Sequence, residues 1–139
     1  MCGDLEEDTA FDDLIFGRFA DFARRHGAVP QSDIRPLAQD LTEPEGRGAY
    51  MNGLFRDALV RALNDTAGAA EGSRADAIAG QAIVFARLAG MLAAQLPPES
   101  DVFRASMEAF MDGHGEPARI KAGHHHHGHG HGHGHDHEH

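Results

Sequence analysis

The sequence is poor in residues that mark several classes of protein. It has a single cysteine, Cys2, so no intramolecular disulfide can form. Tryptophan is absent, tyrosine occurs once, and one lysine stands beside eleven arginines, a bias typical of GC-rich bacterial genomes. The acidic N-terminal residues lack the apolar segment of a secretory signal peptide. We therefore expect a cytoplasmic, bacterial protein.

Motifs that mark enzyme sites are also missing. We find no Gly-x-Ser-x-Gly, no Gly-x-Gly-x-x-Gly and no His-Glu-x-x-His, and no Ser/His/Asp or Cys/His arrangement. The sequence therefore predicts a protein that is not an enzyme.

The formal net charge of −10 limits the partners that the chain can have. An acidic surface repels phosphate backbones, so we expect no binding to nucleic acid, whereas cations are attracted. Residues 77–96 are long and apolar enough to span a membrane, but Arg87 lies near their middle, where a charge is costly in lipid. We expect no membrane partner. A buried Arg87 would need an acidic partner on another helix or across a dimer interface; otherwise it points outward.

Apolar residues recur every three to four positions, which predicts an all-α protein: a five-helix bundle with a disordered His/Gly-rich C-terminal tail. The predicted helices are 9–26, 32–41, 48–65, 73–96 and 99–112. The fourth is apolar nearly all round and should be the most buried, beginning with a capping box of Ser73 and Asp76. Gly113 to Pro117 should end the fifth. The predicted organisation is a flexible N-terminus (1–8), a helical domain (9–117), and a linker with a metal-binding tail (118–139).

The C-terminal tail, residues 123–139, holds ten of the twelve histidines. Neutral imidazole binds divalent zinc, nickel, cobalt and copper, whereas magnesium and calcium prefer oxygen ligands. Glycines between the histidines let the chain bend around an ion. Four to six ligands complete a coordination shell, so the tail should hold about two ions. The predicted ligands are His124, His125, His126, His127, His129, His131, His133, His135, His137 and His139, with Asp136 and Glu138 as supplementary oxygen donors.

This tail resembles the histidine-rich segments of bacterial nickel and zinc metallochaperones, and it is similar to the His-rich loops of zinc transporters. The resemblance covers only residues 123–139 and is one of composition. It implies binding, storage or delivery of a divalent transition metal, nickel or zinc first and cobalt or copper next. The helical part does not match those chaperones, and it would dock a protein partner or form a homodimer.

Other interpretations of the same residues stay open. The tail has the composition of a purification tag, although such tags usually have six or more consecutive histidines, whereas this segment has four and then alternates histidine with Gly, Asp and Glu. It also has the form of a repetitive sequence that arose without selection for a function. The helical part alternatively suits a dimeric ligand-sensing or regulatory domain in which the tail is secondary. Outside the tail, His26 suits a helix C-terminus. His114, near Glu108 and Asp112, suits either a solvated helix end or a surface metal site.

Overall fold

The computed structural model describes the backbone of residues 3–124 and the side chains of residues 6–123. Within these residues the protein is all-helical, with four α-helices and no strand. The helices are α1 (Gly3–Arg25), α2 (Pro44–Gly68), α3 (Arg74–Ala93) and α4 (Val102–His124), and a short 3₁₀ turn, Pro98–Ser100, precedes α4. The all-α prediction is confirmed, and the prediction of five helices is wrong. The chain divides into two compact units, Met1–Leu96 and Pro97–His139.

The predicted second helix, over residues 32–41, does not form, and these residues are turns and irregular backbone. Proline disfavours the helical conformation in the residue before it, so Pro36 interrupts the segment within its first turn. Pro44, expected to close that helix, instead stands at the first position of α2, where its missing N–H costs nothing. The apolar spacing that suggested a helix here, Ile34, Leu37 and Leu41, leaves all three side chains exposed.

The turn before α2 is built from hydrogen bonds to one carboxylate. Asp40 Oδ1 accepts from the Thr42 backbone N–H at 3.0 Å and from the Thr42 hydroxyl at 2.7 Å. These bonds favour the charged carboxylate and lower the pKa of Asp40. Arg47, from the first turn of α2, donates to the carbonyls of Leu41 and Thr42, both at 3.1 Å. The turn is thereby fixed against the N-terminus of α2, with Gly46 lying close to the Asp40 backbone.

Helices α2 and α3 form an antiparallel hairpin whose contact surface is made of small residues. Half-buried Ala58, Ala62 and Thr66 on α2 face Ala77 and Gln81 on α3. The Gln81 amide donates to the Ala62 carbonyl at 3.2 Å and lies 3.4 Å from the Thr66 hydroxyl. Small side chains let the two backbones approach closely, but they bury little apolar area.

The large apolar side chains of the hairpin remain uncovered. Among residues 6–123 none is buried, and Phe55 and Leu63 on α2 keep 65% of their surface exposed. Helix α3 was expected to be the most buried helix, and this prediction is wrong because none of its residues is buried. By length and composition α3 could cross a membrane, a test that the central helix of a soluble protein also passes.

The start of α3 was predicted in part. Ser73 is its N-cap residue, as expected, but its side chain makes no capping hydrogen bond. The Ser73 backbone N–H donates to the Ala70 carbonyl at 2.9 Å, so the capping box with Asp76 does not form. Helix α1 begins at Gly3 rather than at Thr9, and it ends at Arg25, before Gly27, whose φ of 74° a glycine adopts without strain.

Replacing either of two glycines in the first turns of α2 with alanine should change the free energy of unfolding, in opposite directions for the two positions. A Cβ on Gly46 would collide with the Asp40 carbonyl oxygen, whereas a Cβ on Gly48 meets nothing within 4 Å. We expect Gly46→Ala to lower the free energy of unfolding by about 1–3 kcal/mol, as overpacking does. Gly48→Ala should raise it by up to about 1 kcal/mol through helix propensity. Urea denaturation followed by circular dichroism measures both; equal effects of the two variants would contradict the described turn.

Candidate metal-binding segment

Helix α4 carries the start of the histidine-rich tail. It runs from Val102 through to His124, the first of the predicted ligands. Residues 118–122 of the predicted linker and residues 123 and 124 of the predicted tail are therefore helical. The other predicted ligands lie outside the described residues: His125, His126, His127, His129, His131, His133, His135, His137, His139, Asp136 and Glu138.

The N-terminal turn of α4 is held by one arginine and two carboxylates. Asp101, in the left-handed region with φ 58°, precedes the helix, and its side chain accepts from Arg104 Nε at 2.8 Å. Arg104 Nη1 also donates to Glu108 Oε1 at 2.8 Å. The bond to Asp101, and then that to Glu108, raise the pKa of Arg104. All three groups are exposed, so the network orients the first turns and contributes modestly to stability.

The Gly113–Pro117 segment was expected to end this helix, and the expectation is wrong. Pro117 lies inside α4, where it removes one backbone hydrogen bond. Arg119 Nη2 donates to the Asp112 carbonyl at 2.9 Å, whereas the carbonyl that loses its helical donor at Pro117 is that of Gly113. The Arg119 guanidinium folds back across Gly115, where a Cβ would lie 3.0 Å from Nη1. Glycine at position 115 thus leaves room for the Arg119 side chain. This contact between Gly115 and Arg119 was not predicted from the sequence.

The histidines outside the tail do not assemble a metal site. Within the part of the chain that the structure describes, no three His, Cys, Asp or Glu side chains are grouped to hold an ion. The His114 ring stacks with Phe110 at a centroid distance of 6.5 Å. The His26 ring lies 5.0 Å from that of Phe22. Each histidine contacts an aromatic ring one helical turn earlier, and Glu108 is occupied by Arg104.

The described helices therefore provide no preformed coordination shell, and ten of the twelve histidines lie from His124 onward. No family model, no curated protein and no solved structure matches the chain.

Arg119 should decide whether the last turns of α4 are stable. Arg119→Ala removes the donor to the Asp112 carbonyl, at a cost of about 0.5–1.5 kcal/mol to local helix stability. We expect faster hydrogen exchange of the backbone amides in residues 118–123, with the amides of α2 unchanged. Lys121→Ala, a matched change in the same turns, should leave exchange as it is. Equal protection in the arginine variant and the parent would show that α4 continues past Pro117 for another reason.

Proposed function

We propose that this protein buffers or delivers a divalent transition metal, nickel or zinc, through its histidine-rich tail. The single observation that carries the proposal is the concentration of ten imidazoles in residues 124–139. Imidazole selects transition metals over magnesium and calcium. The ion is cargo, because many alternative sets of four to six histidines exist and exchange among them is fast. The ligands are His124 to His127 and the alternating histidines up to His139, with Asp136 and Glu138 in support.

The location of these ligands supports a carrier. His124 belongs to α4, so the first of the proposed ligands is attached directly to a helix. A terminal segment of sixteen residues reaches at most about 50 Å when extended, far enough to pass an ion to a protein docked on the helical part. We place this activity in the cytoplasm and without a catalytic step. The helical part would supply the contact with a partner or with a second copy.

The alternative, a ligand-sensing domain, gains no specific support. Such a domain needs an enclosed apolar cavity, and a cavity needs buried walls. Among residues 6–123 of one chain no side chain is buried. The hollow between α2 and α3, of about 310 Å³ and lined partly by the charged Arg61 and Asp65, is an open surface cleft.

Isothermal titration calorimetry with nickel and with zinc tests the proposal. The full chain should bind about two ions, and a chain ending at Gly123 should bind none with comparable affinity. Protons compete for imidazole nitrogen, whose ordinary pKa is about 6.5, so affinity should fall as pH decreases through about 6. Magnesium should give no heat of binding at the same concentrations.

The matched control replaces the two histidines outside the tail. His26→Asn with His114→Asn should leave the stoichiometry and affinity unchanged, because neither histidine belongs to a group of three potential ligands in the described residues. Equal binding by the full chain and the chain ending at Gly123 would overturn the proposal. A separate measurement, the metal content of the full chain purified without a metal column, distinguishes nickel from zinc.

A further inference from the structure

The exposed face of α3 carries a short pattern that is complementary to itself. Asp76, Gly80, Ile83 and Arg87 are spaced by four, three and four residues. At 100° per residue these four positions fall within about 60° of one another, so they share one stripe of the helix. The stripe lies away from Gln81, the residue of α3 that contacts α2. All four residues are exposed, and Ile83, at 70%, is the most exposed large apolar residue of α3.

When the stripe is placed against a second copy of itself that runs in the opposite direction, each residue lies opposite a complementary one. When a second α3 lies antiparallel with its two-fold axis level with the middle of this stripe, Asp76 of one copy is level with Arg87 of the other. Gly80 is then level with Ile83. Each pair occurs twice, as the symmetry of an isologous contact requires. The opposite charges attract, and the absence of a side chain at Gly80 leaves space beside the helix for the Ile83 side chain.

Neither charge of the stripe is used within residues 6–123. Among the described residues Asp76 and Arg87 take part in no ion pair, whereas Arg24, Arg61 and Arg104 all do. Asp76 is also not engaged as the partner of Ser73 in a capping box, because the Ser73 N–H donates to Ala70. A Cβ at Gly80 would meet nothing within 4 Å, so the space next to it is open in the single chain.

The apolar contribution to this contact comes from Ile83 and Val84. At 100° per residue Val84 lies about 70° from the middle of the stripe, whereas Ile78, Phe85 and Leu92 lie on the opposite side of α3. Ile83 keeps 70% and Val84 59% of its surface exposed in the single chain. The open cleft beside Gly80, lined also by Val84, extends from the stripe toward α2.

We infer that α3 is the contact surface between two copies of this chain, which pack antiparallel through Asp76, Gly80, Ile83 and Arg87. The charge pattern selects a second copy over a membrane or an unrelated protein, because lipid offers no partner for either charge and another protein would have to reproduce the same spacing. Two α2–α3 hairpins joined in this way form a four-helix arrangement that covers Ile83, which one hairpin leaves mostly in water. The inference does not depend on metal binding.

Charge reversal tests the pairing directly. Sedimentation equilibrium of the full chain, over a series of concentrations and with a chelator present, should show a reversible dimer. The chelator excludes dimers bridged by metal ions on the tails, so this result is independent of the proposed metal function. Asp76→Arg and Arg87→Asp each place like charges opposite one another twice, and each should weaken dimerisation by about a hundredfold. The double variant restores both pairs and should recover most of the affinity.

Matched controls separate the contact from the fold. Arg56→Asp reverses a charge on α2 and should leave dimerisation unchanged. Gly80→Leu should weaken dimerisation, whereas Gly53→Leu on α2, which also meets nothing within 4 Å, should not. Circular dichroism should show equal helix content in all variants. A chain that is monomeric throughout, or a dimer indifferent to both single reversals, would overturn the inference. So would a monomer that co-sediments with phosphatidylcholine vesicles, which would make α3 a lipid-facing helix.

Discussion

The shortage of buried apolar surface is the constraint on which the rest of this structure depends. Helices of 20 to 25 residues form from local hydrogen bonds and amphipathic sequence, yet isolated helices in water are only marginally stable. The α2–α3 contact adds small side chains and one glutamine amide, which hold the two backbones together and bury little. Phe55, Leu63 and Ile83 remain mostly in water. The proposed antiparallel pairing of α3 would cover Ile83, the apolar residue that lies between Asp76 and Arg87.

Helix positions could be predicted where pattern and termination signals agree. The 3.6-residue period, with Gly27 after Arg25 and Ser73 before Arg74, located α1, α2 and α3 to within several residues. The prediction failed at prolines, because a proline can either begin a helix or interrupt one. Pro44 opens a helix instead of closing one, and Pro36 prevents a helix that the apolar spacing favoured. Burial was predicted wrongly for α3, because an apolar sequence shows what a helix can bury and does not show whether its own chain supplies the cover.

The candidate site, like the fold, could be predicted from the sequence only in part. Its chemical class follows from composition, since ten imidazoles select a group of ions wherever they are placed. Its attachment to the helical part does not follow from composition, because α4 continues past Pro117 and Arg119 makes a side-chain contact along the same helix. Arg119 reaches back to the Asp112 carbonyl over Gly115, and that contact cannot be read from the Gly-x-Gly and proline signals, which individually predict a helix end. Residues 118–122 thus belong to α4, where a linker was predicted.

Net charge connects the two proposed activities. Each copy carries −10, so two copies repel wherever their surfaces approach without compensation. Helix α1 contains seven carboxylates, whereas α3 carries only Arg74, Asp76 and Arg87, and two of these three charges lie on the self-complementary stripe. Association through α3 therefore avoids most of the repulsion that association through α1 would meet. Divalent ions on the tails lower the net charge further, but screening limits this effect to about 8 Å at physiological ionic strength. In the proposed dimer the pairing of Asp76 with Arg87, rather than metal loading, would therefore set the specificity of the contact.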